Sequence, residues 1–304
     1  MSAVLTDAPA RARLLGAHAS VGGGLARKGL PYVDGAGAGA VQVYVSNSRG
    51  WALPDGDPEQ DELFRAGCAE RDIPAYIHAS LLVNLGSPTR ETVTRSAETL
   101  AHALRRGAAI GARGVVFHAG SSVTDGYAAT ALRQVRDVLL PLLDETAERG
   151  GPRLLVEPSA GGGRSLASKV TDLADYLDAV GGHPALGVCF DTCHAWAAGH
   201  DVHSPGGMTR TLDTLVATVG AGRLALVHAN DSKDACGSTR DRHETIGAGT
   251  IGEAGFAELL AHPAVAGVPV IVETPTTGHA GHGADIATLA RLRAGCDTNA
   301  SPVP

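Results

Sequence analysis

The 304 residues are 44% hydrophobic and 19% charged, which excludes a disordered chain and supplies apolar surface for a large core. Lys and Arg number 25 against 32 Asp and Glu, and the resulting −7 is the wrong sign for a polyanionic partner unless bound divalent cations, absent from that count, reverse the field locally. No apolar run reaches the roughly 18 residues that cross a bilayer, the first residues (MSAVLTDAPARAR) carry no hydrophobic leader, and the five cysteines form no CxxC pair. A reduced, cytoplasmic protein without disulfide framework or zinc finger is therefore expected.

Eight short apolar runs follow in order: LLGAHAS from Leu14, AVQVYV from Ala40, IPAYIHA from Ile73, GVVFHAG from Gly114, RLLVEPSAG from Arg153, LGVCFDTCH from Leu186, LALVHAND from Leu224 and VPVIVET from Val268. Stretches rich in Ala, Leu, Arg and Glu separate them. Continuous apolar strands alternating with helices imply a parallel sheet covered on both faces, and eight such units close an α/β barrel of the TIM type. Glycine patches at 22–24, 35–39 and 161–163 are assigned to βα connections, where tight turns and close ligand approach are needed. A single domain over residues 14–293 is expected, with tails at 1–13 and 294–304.

Six of the eight runs end in a residue able to bind a metal: His78, His118, Glu157, Asp191, His228 and Glu273. Their separations of 40, 39, 34, 37 and 45 residues each equal one βα unit. The C-terminal ends of barrel strands converge on one mouth, so these side chains are expected to share a cup. Six ionisable groups at buried strand ends are costly unless a cation compensates them. Asp191 and His194, three apart, share one face if a helix starts there, and Asp241 and His243 alternate in an extended segment. Five imidazoles and four carboxylates form a zinc-type donor set, with manganese or iron as weaker fits, and nine donors suit two or three ions with positions left for water and substrate. That is a hydrolytic arrangement.

The segments GAHAS, IHASLLVNLGSP, FHAG, EPSAG, GVCFDTCHAWAAGHD, HANDSKDACGSTRDRHETIGAGTIG and VIVET resemble, in order, the signature blocks of the endonuclease IV family of apurinic/apyrimidinic endonucleases, from about Leu14 to Leu292. The resemblance implies a xylose-isomerase-like (β/α)8 barrel that acts in base excision repair as a deoxyribonuclease IV type phosphodiesterase. Such an enzyme cuts double-stranded DNA 5′ to an abasic site, leaving a 3′-hydroxyl and a 5′-deoxyribose phosphate, and trims blocked 3′ ends. It implies three zinc ions, with manganese or iron an option at one position. His78, His118 and Glu157 would hold the first; Glu157, bridging, with Asp191, His228 and Glu273 the second; His194, Asp241 and His243 the third. Glu157, Glu273 and His118 are the catalytic assignments, a hydroxide bridging the first two ions would attack phosphorus, and the third ion would stabilise the leaving oxygen. Arg49 and Trp51 in SNSRGW match the loop that enters DNA at the lesion, and Lys233 and Arg242 are candidate phosphate contacts. No membrane partner is expected, and the chain is expected to act as a monomer.

Two positions depart from the family pattern: Leu81 stands where an aromatic is usual, and Gly162 where a Gln is usual. Both predict looser probing of the lesion with the metal chemistry intact. His18 is expected to orient a ligand or water, or to serve the core; Cys189 and Cys193 are read as packing residues; His102, His183, His200, His203, His262, His279 and His282 are read as surface residues. Two rival readings are kept: a sugar isomerase or epimerase, since Glu157, Asp191, His228 and Glu273 are similar to the single-metal set of those enzymes, and a lesion-binding protein without turnover.

Overall fold

The computed structural model describes residues 14–275 and 279–299, with side chains at 279–280 and 297–299 excluded. The expected N-terminal tail, residues 1–13, lies outside them. The chain runs β1 Leu15–His18, α1 Leu25–Ala36, β2 Val41–Val43, α2 Pro58–Glu70, β3 Ala75–His78, α3 Arg90–Ile110, β4 Gly114–His118, α4 Ala128–Arg149 and β5 Arg153–Glu157. It continues through α5 Leu173–Ala179, β6 Leu186–Asp191, α6 Thr192–Ala197, α7 Gly207–Val219, β7 Leu224–His228, β8 Asp231–Ser232, β9 His243–Glu244, α8 Gly252–Ala261, β10 Val270–Val272 and α9 His279–Asn299. Eight of the strands pair in parallel into a closed barrel, β1-β10-β7-β6-β5-β4-β3-β2. All eight predicted runs are its staves. The remaining two strands, β8 and β9, form a small antiparallel hairpin after β7 that the periodicity did not reveal.

Two expectations about connections change. The helix α9 continues to Asn299, past the tail expected from 294, because neither Pro nor a terminating glycine turn interrupts the helix-forming residues there. The glycines at 35–39 belong to the end of α1 and the turn into β2, not to a βα connection; Gly37 at φ 63° caps the helix in the left-handed conformation.

Alternation along the strands sorts the barrel interior into layers. Ala40, Tyr76, Val116, Leu155, Cys189, Leu226 and Ile271 form one buried cluster, separate from the larger core between sheet and helices. Two residues further along each chain segment stand Gln42, His78, His118, Glu157, Asp191, His228 and Glu273. A strand repeats its facing every two residues, so this polar ring sits directly above the apolar plug. In β1 the same positions are Gly16 and His18. The register preserves this facing: His118 pairs with Glu157 and Asp191 with His228, while Gln42 pairs with Tyr76, His78 with Val116 and His228 with Ile271, offsets of two residues that leave each side chain on the same face.

Gly16 is required by close approach. A Cβ there would lie 2.0 Å from the carbonyl oxygen of Ala40, backbone that cannot rotate away. Gly16→Ala is expected to destabilise the fold by about 3 kcal/mol, the upper end of overpacking penalties, whereas Gly22→Ala, with nothing within 4 Å of the new carbon, is expected to be nearly neutral. Paired urea denaturation curves of the two variants check this; equal midpoints would remove the steric argument.

Candidate metal centre

Five donors are the last residues of their strands: His78 on β3, His118 on β4, Glu157 on β5, Asp191 on β6 and His228 on β7. Glu273 lies one residue past β10, where its backbone N–H donates to Asn230 Oδ1 at 2.8 Å. His194 sits in the first turn of α6, and Asp191 caps that helix by accepting from the His194 backbone N–H at 2.7 Å. The remaining pair comes from the hairpin. His243 begins β9 and Asp241 precedes it, their side chains 2.9 Å apart.

The nine side chains converge. Glu157 is fully buried at their centre, with His78 Nε2 at 3.5 Å, His118 Nε2 at 3.6 Å, His194 Nδ1 at 3.3 Å and His228 Nδ1 at 3.0 Å. His228 Nδ1 also faces Glu273 Oε2 at 3.4 Å and Asp191 Oδ2 at 3.9 Å. On the open side, His194 Nε2 is 3.2 Å from Asp241 Oδ2, and His243 Nε2 is 3.9 Å from Asp191 Oδ2. His78, His118 and Glu157 form one group whose donor atoms lie within 4.8 Å of one another, and His194, Asp241 and His243 form another. These are the first and third ligand groups that the resemblance implies. The cluster opens into a cavity of about 310 Å³, whose wall also includes Tyr44, Leu81 and His282.

Three imidazoles are aimed by backbone carbonyls. His78 Nδ1 lies 2.7 Å from Ala79 O, His194 Nδ1 3.0 Å from Pro158 O and His243 Nδ1 3.2 Å from Glu273 O. A carbonyl can only accept, so Nδ1 carries the hydrogen and Nε2 keeps the lone pair that faces the acids. This arrangement is typical of histidines that bind metals.

The electrostatics ask for positive charge. Burial works against the charged forms of His194 and His228, yet Asp191, Asp241 and Glu157 around His194, and Cys189 with Glu273 and Glu157 around His228, push both well above the ordinary imidazole value. For His243, burial is likewise outweighed by Asp241 and Asp191, which hold it up at about 9. Burial would raise Glu157, but His228, His194 and His78 hold it well below the carboxylate range. His118 goes the other way: burial brings it down to about 4 against the pull of Glu157. Burial also raises Asp191. Glu157 Oε2 is buried without a hydrogen-bond partner. An unpartnered carboxylate oxygen at the centre of such a cluster fits a group of divalent cations.

The outer residues separate by place. Arg49 is exposed on the loop after β2, and that loop is tied to the segment after β3: Leu81 N–H donates to Ser48 O at 2.8 Å, and Ser80 Oγ to Ser48 O at 3.0 Å. Arg49, Trp51 and Leu81 therefore share one rim, with Leu81 39% exposed at the cavity wall. Lys233 and Arg242 are exposed on the hairpin, Lys233 4.0 Å from Glu244 and Arg242 paired with Asp234. Gly162 has φ +89°, between two more positive-φ glycines, a backbone that a Gln would adopt only with strain. Cys189 lies in the apolar plug beneath the cluster and Cys193 is buried; burial pushes both thiols up to about 12, and each has its sulfur within 4.8 Å of two donors of the cluster, Cys189 with Glu157 and His228, Cys193 with Asp191 and His243.

Three histidines read as surface residues are buried: His102 bonds Pro54 O at 2.8 Å, His262 bonds Asp213 at 3.2 Å, and His282 bonds Thr274 O at 3.0 Å and the Tyr32 hydroxyl. Each found a partner that offsets its burial, which sequence position alone does not disclose. His183 and His200 are half-buried, His203 is exposed, and the side chain of His279 lies outside the described residues. His18 closes β1 with Nδ1 3.0 Å from Glu273 Oε1. Sequence reasoning missed Gln42, Asn230 and Tyr44. Asn230 Nδ2 donates to Asp191 Oδ2 at 2.7 Å, and the Tyr44 ring lies 4.4 Å from that of His18. The available signal for Gln42 was a single polar residue inside the apolar run AVQVYV.

Fold and site define a class: a closed parallel α/β barrel whose C-terminal mouth gathers His, Asp and Glu groups that can bind metal ions. The sequence profile of a family described as a xylose isomerase-like TIM barrel matches residues 31–293. A Streptomyces coelicolor protein named probable endonuclease 4 is 55% identical over 281 residues, covering 92% of this chain and 95% of that one. The crystal structure of endonuclease IV from Thermus thermophilus superposes with a TM-score of 0.78 at 33% identity, covering 94% and 99% of the two chains. A D-tagatose 3-epimerase-like protein superposes with a TM-score of 0.73 over 94% of this chain and 99% of its own, at 16% identity, a likeness of fold alone. The chain belongs to the xylose isomerase-like TIM-barrel family, alongside the endonuclease 4 proteins.

Cation binding makes a direct prediction for stability. Stripping the purified protein with a chelator is expected to lower its Tm by about 5 °C or more, and zinc at saturating concentration to restore it, because ions that bind only the folded cluster stabilise it by mass action. Differential scanning calorimetry checks this, and a Tm that ignores both treatments argues against a resident metal.

Proposed function

We propose that the protein is a zinc-dependent apurinic/apyrimidinic endonuclease of base excision repair, which hydrolyses double-stranded DNA 5′ to an abasic site and also trims blocked 3′ ends. The observation that carries this reading is the convergence of five imidazoles and three further carboxylates on Glu157, with six of the nine donors lining one open cavity. The kinship with endonuclease 4 proteins supports it independently.

His78, His118 and Glu157 would hold one ion, Glu157 with Asp191, His228 and Glu273 a second, and His194, Asp241 and His243 a third. Divalent ions bound there supply a nucleophilic water at neutral pH and neutralise the charge of the transferring phosphoryl group and its leaving oxygen. The chain's own part is positioning. Backbone carbonyls fix three ring orientations, and Asp191 is held by Asn230 and the α6 backbone. Leu81 and the Arg49–Trp51 loop stand on the rim, where a lesion in duplex DNA would be probed, and Lys233 and Arg242 on the hairpin would meet backbone phosphates. Local cations at this mouth reconcile a net charge of −7 with a polyanionic substrate.

The epimerase reading uses four of the nine donors and leaves His78, His118, His194, Asp241 and His243 without a role, though they share the same cavity. Elemental analysis separates the two: about three ions per chain are expected, and one would favour the epimerase.

A duplex with one tetrahydrofuran site tests the function. Cleavage on its 5′ side by metallated protein, abolished by chelator, is expected; an uncut duplex at full metal loading refutes turnover, and tight binding without cutting would mark a lesion-binding protein. Leu81→Tyr is expected to tighten binding to that duplex about fivefold, the low end of base–aromatic stacking, with kcat little changed. Fluorescence anisotropy together with single-turnover cleavage checks it.

A further inference from the structure

We propose that Gln42 is a positioning residue: its carboxamide sets the tautomer of His228 and tethers Glu273, so that both present their remaining donor atoms to the same cation. The inference rests on the metal-centre reading above and adds a residue outside the nine donors.

In the polar ring at the barrel mouth, seven strands supply an ionisable side chain, and β2 supplies Gln42, neutral and fully buried. Gln42 Nε2 lies 2.6 Å from Glu273 Oε1 and 3.0 Å from His18 Nδ1, while Gln42 Oε1 lies 3.0 Å from His228 Nε2. The polarity of this chain of contacts is forced. Gln42 Nε2 is the donor in its contact with Glu273 Oε1, and a carboxylate that ligates a cation can only accept. The amide must turn its NH2 toward it, which leaves the amide carbonyl facing His228. A carbonyl also only accepts, so His228 Nε2 must carry the hydrogen and donate.

An imidazole protonated at Nε2 keeps its ligating lone pair on Nδ1. That atom is the one surrounded by acids, 3.0 Å from Glu157 Oε1, 3.4 Å from Glu273 Oε2 and 3.9 Å from Asp191 Oδ2. His78, His194 and His243 receive the same service from backbone carbonyls, but at Nδ1, and so present Nε2. His228 is turned the other way round, and a side chain holds it there. Gln suits the position because it accepts from one neighbour and donates to the other without adding charge. A Glu would set a carboxylate against Glu273, and an apolar residue would strand a buried N–H and a buried carboxylate oxygen.

The test uses the full chain as wild type, Gln42→Met and Gln42→Glu. Metal content after dialysis, the rate of zinc release to a coloured chelator, and long-range 1H–15N spectra of the histidine rings are the readouts. In the zinc-loaded wild type, His228 is expected to show a protonated Nε2 and a metal-bound Nδ1. Gln42→Met is expected to weaken one ion about 10–100-fold, the usual effect of losing a partner behind a ligand, and to leave the others and the far-ultraviolet circular dichroism unchanged. Gln42→Glu is expected to keep the Nε2 hydrogen and yet release the same ion faster, through repulsion of Glu273.

Gln42→Met protein with wild-type release rates and an unchanged His228 tautomer overturns the role of Gln42 while leaving the metal centre standing. Should that variant fail to fold, the wild-type spectrum decides by itself: a His228 with bare Nε2 overturns the assignment. A wild-type chain that takes up no metal overturns the metal-centre reading, and this one with it, which separates the two failures.

Discussion

The two-residue repeat of a β-strand, closed into a ring, is the constraint on which the rest depends. Each barrel segment carries a small or apolar residue, then one that faces the helices, then a polar one: Tyr-Ile-His on β3, Leu-Val-Glu on β5, Cys-Phe-Asp on β6, Leu-Val-His on β7. Because the strands are parallel and neighbouring pairings are either level or offset by two residues, facing is preserved around the barrel, so the first members gather in a dry plug and the third members in a polar ring on its mouth side. Shifting any strand by one residue would put an acid or imidazole against the helices and an aliphatic side chain in the mouth. The apolar plug denies water to the underside of the ring, and the acids there depend on imidazoles or cations for compensation.

That constraint also explains what could be read without coordinates. The strand ends that carry His78, His118, Glu157, Asp191 and His228 are legible because a charged or imidazole residue closing an apolar run breaks the pattern visibly, and because βα units have a fixed length. His194, Asp241 and His243 are legible through local spacing and through the family resemblance. What escaped is of another kind. Gln42 gave a weak signal because one neutral amide inside a strand resembles an ordinary interruption, and its meaning lies in contacts to Glu273 and His228, more than 180 residues away. The burial of His102, His262 and His282 escaped for the same reason: a partner from a distant element decides whether an imidazole can be covered.

The hairpin β8–β9 shows how the mouth is extended beyond the ring. It carries two donors that no barrel strand could supply, and it needs anchoring because two-residue strands hold little by themselves. Asp231 is the anchor. Fully buried, it accepts from the backbone N–H groups of Ser232, Gly247, Gly249, Ile251 and Gly252, which folds the following loop around one carboxylate. The pairing of Arg242 with Asp234 and the bond from Trp196 Nε1 to Asp234 O join the hairpin to α6, where His194 resides. The third ligand group is thereby assembled from two elements that brace each other.

The shared fold of nucleases and sugar epimerases then has a simple physical reading. A ring of eight positions is a property of the barrel, and which of them carry donors is a property of the sequence. Glu157, Asp191, His228 and Glu273 occupy one side of the ring and are enough for a single ion. This chain adds His78 and His118 on the next two strands, and the hairpin with α6 adds three donors over the opening. The additions enlarge the cluster toward solvent, on the side where Leu81 and the Arg49 loop stand. The donors outside the strands thus carry the cluster from the ring up to the rim of the barrel.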